Sequence, residues 1–274
     1  MRLTHNMYSL SIYKHYTRAL SENSTAIERT SSGKKLNSAK DNPNKIAQAE
    51  GLKMSILSRN AAQSNIQDTT SMIQTYDGAL GEMNNNISRL KSLAVQAGNE
   101  TNSEDDNQKI QEEMDSIVKS INDLSKTNFN GIKMSQEQPA VSKKSTIGAL
   151  DGETIEIPFY DVTAKGLGLD NLKVVGSDKD INSAMDSIDK AVTHVTDIRS
   201  VYGAIQSRLE GSQNNTDEIN DSLTKAQSSI MDADIAAESI DYSRTKVLIQ
   251  ASISLIAQGN NLPKDALNIL SSVR

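Results

Sequence analysis

The sequence predicts a mainly α protein in which long antiparallel coiled-coil helices from both termini flank a small β-hairpin insertion. Three observations carry this reading. One seven-residue repeat runs from Ile66 to Ala97, a second from Ile181 to Val247, and between them a stretch around Asp151-Gly152 drops the helical period for alternation.

Leu3 to Ser32 reads as a helix, with Leu10, Tyr13, Leu20 and Ile27 spread among Ser, Thr and Asn. So thin a stripe gives an isolated helix little stability. Ser31-Ser32-Gly33-Lys34-Lys35 reads as a bend between helices, since its Gly-Lys lacks the first glycine and the preceding strand of a phosphate loop. In the next segment Ile66, Ile73, Leu80, Ile87 and Ala94 hold one register, with Thr69, Tyr76, Met83, Leu90 and Ala97 three residues further on. That is a coiled-coil seam about 48 Å long at the α-helical rise, ended by Gly98. A shorter helix follows: Ser103 caps it, Glu104, Asp105 and Asp106 suit its positive end, and Ile110, Met114, Ile117, Ile121 and Leu124 form its apolar stripe.

The C-terminal half repeats the pattern. Ile181, Ile188, Val195, Tyr202, Leu209, Thr216, Leu223 and Ile230 keep one register, and the series from Ala184 through Ile198, Ile205 and Ile219 to Ile240 and Val247 keeps the other. The two halves are expected to pack together, Ile66, Ile73, Leu80 and Ile87 against Ile188, Val195, Leu209 and Leu223. Between them Pro139 breaks the helical pattern. Ile147, Ala149, Ile155, Ile157 and Phe159 then alternate as a hairpin, which Pro158 and Gly166-Leu167-Gly168-Leu169 keep short.

Aromatic residues are 3% of the chain, Trp is absent and apolar residues make up 36%, which suits narrow helical seams better than a thick core. A net charge of -6 and the lack of any basic run argue against nucleic-acid binding. No stretch is long and apolar enough to insert in a membrane, and the start lacks the pattern of a cleaved signal peptide. The absence of Cys removes disulfides, thiolate metal sites and Cys nucleophiles together.

His5, His15 and His194 are scattered and lack the spacing of a helical zinc pair, so they read as solvated helix residues. Asp232-Ala233-Asp234 and Glu104-Asp105-Asp106 lack the alternating oxygen ligands of a calcium loop and read as helix-start charges. No metal, cofactor or catalytic constellation is expected, and the chain is not expected to be an enzyme.

Several ordered blocks resemble the bacterial flagellins. Met1-Arg2-Leu3-Thr4-His5-Asn6 and Ser31-Ser32-Gly33-Lys34-Lys35-Leu36-Asn37-Ser38-Ala39 resemble the start of that family, and Asp68 to Leu80 its next block. Leu93-Ala94-Val95-Gln96-Ala97, Gln111-Glu112-Glu113-Met114-Asp115 and Asn128-Phe129-Asn130-Gly131 continue in order. Beyond the insertion, Ala204 to Glu210, Asp232-Ala233-Asp234-Ile235-Ala236 and the tail through Leu267-Asn268-Ile269-Leu270 to Arg274 complete the match. Pro43, Lys45 and Ser92 depart from the family's usual small or acidic residues.

The resemblance implies a short form without large surface domains. Residues 1–45 and 232–274 would form the inner tube, residues 46–134 and 181–231 a coiled-coil layer, and residues 135–180 a β excursion on it. The weakly stable ends, Met1 to Ser32 and Val247 to Arg274, would fold on assembly. It implies a homopolymeric, extracellular flagellar filament subunit that leaves the cell through the flagellum's type III export apparatus with an export chaperone. Filament cap and hook-filament junction proteins would be its neighbours. It also implies recognition of the monomer by a host Toll-like receptor through Arg89, Leu93 and Glu113, Leu93 standing outside the main seam. A hook-filament junction protein is the alternative, because it shares the terminal design.

Overall fold

Capping chemistry decides where the helices begin. The computed structural model describes residues 7–99, 101–136, 142–174 and 178–272; Pro139 and His5 lie outside them. Helix α1 spans Met7–Ser32 and α2 Pro43–Ala97. Pro43 occupies the first helical position of α2, where its missing N–H costs nothing, and Asn42 accepts the Lys45 N–H at 3.1 Å. Helix α3, Glu104–Ser125, opens on a reciprocal cap: the Asp106 N–H donates to Ser103 Oγ and the Ser103 N–H to the Asp106 carboxylate. The Ser103 hydroxyl, which donates to Asp106 Oδ2 at 2.6 Å, and then the Ser103 N–H hold the Asp106 carboxyl below its ordinary range.

The C-terminal repeat does not run through as one helix. Helix α4, Asp178–Met231, stops, and α5, Ile235–Ser272, starts anew under Asp234, whose Oδ1 accepts the N–H groups of Ala236 and Ala237. The chain divides into two units, Met1–Ser55 with Asp221–Arg274 and Ile56–Asn220.

Within Ile56–Asn220, α2 and α4 run antiparallel. Lys91, Asp77, Gln63 and Asn60 of α2 bond in turn to Asp189, Arg199, Asp217 and Asn220 of α4. Arg199 grips both carboxylate oxygens of Asp77, at 2.8 and 3.3 Å, a planar match that also fixes the rotation of the helices. Between these polar rims Ile66, Ile73, Leu80 and Ile87 are wholly buried with Ile188, Val195, Tyr202 and Leu209. Helix α3 folds back along α2, joined by Asn86 to Ser120 and Arg89 to Glu113, and seals Ile110, Met114 and Ile121 into the same core.

Two hairpins follow. Strands β1 (Asn128–Phe129) and β2 (Ile132–Lys133) pair across Asn130 and Gly131, both with positive φ, as a two-residue turn requires. The block Asn128-Phe129-Asn130-Gly131 carried that hairpin signal, but the sequence reading used it only as a family motif. Strands β3 (Ser142–Thr146) and β4 (Thr154–Pro158) pair antiparallel from Ser142↔Pro158 to Thr146↔Thr154. The turn at Gly152, φ 89°, lies where expected, whereas Ile147 and Ala149 belong to the loop and the first strand precedes them. Strand β3 is polar, Ser-Lys-Lys-Ser-Thr, and its pairing follows from the neighbouring β4 edge and not from apolar alternation.

Ile155 and Ile157 of β4 enter the core, and past the strand the chain continues without a ladder through turns that bury Phe159, Val162, Ala164, Leu167, Leu169, Leu172 and Val174 there. Side-chain amides replace the missing strand partner. Gln111 donates to Leu172 O and accepts from the Val174 N–H, both at 2.9 Å, and Asn122 accepts from the Ala164 N–H. Tyr76 and Tyr202 pin the hairpins from beneath, donating to Ile132 O at 2.8 Å and Pro158 O at 3.1 Å. No helix among the described residues is long and apolar enough to cross a membrane.

Two outcomes follow from this core. Leu80→Asp removes roughly 1.5–3 kcal/mol of apolar burial and forces a charge into the seam. In circular dichroism melts its midpoint is expected to fall by at least about 6 °C, against less than about 2 °C for the exposed Ser88→Asp. Burial also raises the Tyr202 and Tyr76 hydroxyls above their ordinary pKa of 10.0. The folded state therefore holds these protons more tightly. Their contribution is complete below that pH and is lost as pH rises past it. Tyr202→Phe, which leaves Pro158 O unpaired, should cost about 1 kcal/mol at neutral pH yet flatten the alkaline decline in urea melts.

Candidate functional site

The unit built from the two chain ends is held by α1 and α5. Helix α1 stops at Ser32 because Gly33 takes a positive φ of 69°, which an L side chain resists. The two connectors then pair: the Lys35 N–H donates to Met231 O at 2.6 Å and the Ala233 N–H to Gly33 O at 3.0 Å. Ser9 bonds Asn260, Asn23 bonds Thr245 and the Tyr242 carbonyl, and Arg29 pairs with Glu238 at 3.3 Å, so α1 and α5 are antiparallel.

The residues between them are small. Buried positions fall every seven residues, Ile12, Ala19 and Ala26 on α1, facing Thr245, Ser252 and Gly259 on α5. A Cβ on Gly259 would stand 2.9 Å from Ser9 Oγ and 3.3 Å from the Tyr8 ring, so this glycine permits the close approach. The sequence reading missed this seam because it followed the large apolar residues. The signal was present as a heptad of Ala, Ser, Thr and Gly.

The large side chains instead face outward. Leu10, Tyr13, Leu20 and Ile27, read as the apolar stripe of the first helix, are each about half exposed, and Ile240 and Val247 are exposed by 68% and 63%. The registers therefore differ from expectation: with Ala and Gly at the contact the helices come too close to seat large residues between them. What is left is a helix pair with apolar flanks on both members, an arrangement suited to burial by further protein and not to catalysis.

The remaining predicted residues fall in three places. Ile66, Ile73, Leu80, Ile87, Ile188, Val195 and Leu209 meet in one core, whereas Leu223 lies beyond Asn220, in the other unit, and is half-buried. Arg89 and Glu113 lie on the surface, with Nη2 and Nε of the guanidinium 2.6 and 3.0 Å from Glu113 Oε1. Leu93 does not join them there. It is 1% exposed, because α3 covers the flank of α2 that also bears Met72 and Ala79, making core of a position just outside the two-helix seam. His15 and His194 are exposed, and His194 rests edge-on against Tyr160. Among the described residues no three His, Asp or Glu converge as metal ligands.

Residues 3–138 match the bacterial flagellin N-terminal helical region, and residues 185–270 the bacterial flagellin C-terminal helical region. A flagellin of Halalkalibacterium halodurans is 33% identical over 275 residues, covering 98% of this chain and 100% of that protein. A flagellin of Bacillus subtilis is 31% identical over 304 residues, with 98% and 100% covered. Among solved structures, one described as a flagellar hook-associated protein of Vibrio parahaemolyticus superposes with a TM-score of 0.60 over 70% of this chain and 100% of that one. At 13% identity this is a likeness of fold alone.

Proposed function

We propose, from the premise that this chain belongs to the bacterial flagellin family, that the outward apolar flanks of α1 and α5 are the surfaces through which its copies join. Flagellins are structural proteins, not enzymes, and this chain is a structural subunit that polymerises into the extracellular flagellar filament. The finer reading is that residues 1–45 and 232–274 form the inner tube of that filament. One observation carries it: a helix pair that buries Ala, Ser and Gly while exposing Leu10, Leu20, Ile27, Ile240 and Val247 covers its large apolar side chains only against further copies. The same imbalance suits a terminal unit that gains most of its stability on assembly. Export through the flagellar type III apparatus with a chaperone, and contact with filament cap and hook-filament junction proteins, belong to this reading.

Two measurements test assembly. Amides of residues 7–32 and 247–272 should exchange rapidly in the monomer and slowly in the filament; equal protection would refute folding on assembly. Val247→Asp should leave the monomer's melting unchanged and stop elongation from filament seeds. A junction protein, the alternative role, would not extend into long filaments even unmodified.

The chain is further proposed to be recognised as a monomer by a host Toll-like receptor through Arg89 and Glu113. Both side chains are about half exposed, and a surface ion pair holds so weakly that either partner is free to rebond. Buried Leu93 supports the pair by seating α3 on α2. Arg89→Ala and Glu113→Ala should each lower receptor activation about tenfold in a reporter assay. Unchanged activation by both would show the face to be ordinary helix surface.

A further inference from the structure

Charge is distributed unevenly in this chain. Ile56–Asn220 carries 25 acidic against 15 basic residues, whereas the terminal unit carries 10 acidic against 14 basic. Helix α3 is the most acidic element, with seven carboxylates and two lysines, and six of the seven lie between Glu104 and Asp115. Glu104, Asp105, Glu112, Glu113 and Asp115 are exposed there.

Just past the other end of α3 the sign reverses. A recess of about 780 Å³ opens among Asn122, Lys126, Lys133, Lys143 and Thr163, and no carboxylate of the described residues lines it. Lys126 pairs with Asp123 at 2.7 Å, but Lys133 and Lys143 have no ion-pair partner among the described residues. Asp161, which bonds the lining residues Ser135 and Thr163, is already committed, accepting from Ser135 Oγ, the Thr163 N–H and Thr163 Oγ1. The acidic start of the same helix cannot serve these lysines, because Glu112 and Lys126 stand about 20 Å apart along the axis.

We propose that this lysine recess receives the acidic first half of α3 from a second copy of the chain. The two patches are complementary and lie at opposite ends of one helix, too far apart to meet within one chain, so a second copy is needed to bring one onto the other. Such a contact joins two different patches and leaves one of each free at the ends, so it can repeat from copy to copy along a filament. It also places cations against carboxylates where acidic units would otherwise repel. The proposal rests on the filament reading and adds to it an electrostatic contact outside the terminal helices.

The test uses the full chain and two variants, Lys133→Glu/Lys143→Glu and Glu104→Lys/Glu112→Lys, all at exposed positions. Thermal melts confirm folding. Alone, the first variant sets carboxylates against carboxylates at every contact and the second removes most of the acidic charge that the recess would receive, so each should elongate from seeds at least tenfold more slowly than the parent. Mixed in equal amounts they should elongate faster than either alone, because an alternating order sets the introduced carboxylates against the introduced lysines at one contact and keeps the parental pairing at the next. Parental elongation by either variant alone, or a mixture no faster than its components, would overturn the contact. Should a reversal impair folding, Lys133→Gln/Lys143→Gln takes its place: slower elongation supports the contact and parental elongation overturns it. A parent that fails to elongate would instead overturn the filament reading, and this contact with it.

Discussion

A chain with seven tyrosines, two phenylalanines and no tryptophan cannot hold long helices together by filling a thick core, so register along α2 does that work. Ile66, Ile73, Leu80 and Ile87 close one side of α2 against α4, and Leu93 lies on the adjoining flank under α3 while Met72, further along it, stands beside Phe129, Ile132 and Ile157 of the hairpins. The hairpins and the chain from Ile155 to Val174 have somewhere to dock only because these three helices already present a joint apolar surface. The few aromatic residues are spent at that junction. Tyr76 meets Phe159 edge to face and Tyr202 packs beside Tyr160, each tyrosine hydroxyl in the core bonding a hairpin carbonyl.

The terminal unit solves the opposite problem with the same heptad spacing. Its seam of Ile12, Ala19 and Ala26 against Thr245, Ser252 and Gly259 brings the backbones close and removes little apolar surface from water. Direction therefore comes from polar bonds, Asn23 to Thr245 and Arg29 to Glu238 among them, while the large apolar residues stay outside. A self-contained coiled coil would be finished once paired. This one leaves Leu10, Leu20, Ile27, Ile240 and Val247 about half exposed or more, and on the proposed reading those side chains are what its copies cover.

Polar side chains also act where the backbone lacks a partner. Gln111 and Asn122 supply hydrogen bonds to backbone groups of the irregular chain from Ala164 to Val174, which is held to α3 without a sheet. This ties the end of α3 to the hairpins and fixes the rim on which Lys126, Lys133 and Lys143 stand.

Helix content, the two heptad registers, the Ser103 cap and the turn at Asp151-Gly152 were determined by the sequence itself, because each depends on residues within a few turns of one another. The ordered family blocks likewise pointed to a filament subunit before any contact was known. Tertiary structure decided which registers face a partner. Leu93 became core because a third helix covers it, and Leu20 and Ile27 became surface because Ala19 and Ala26 just before them let α5 come closer than a leucine permits. The polar strand β3 and the placement of the lysines beyond α3 depend on segments far apart in the chain. A one-dimensional pattern records which side chains could be buried, but the distance of closest approach between helices, set by their smallest residues, selects the ones that are.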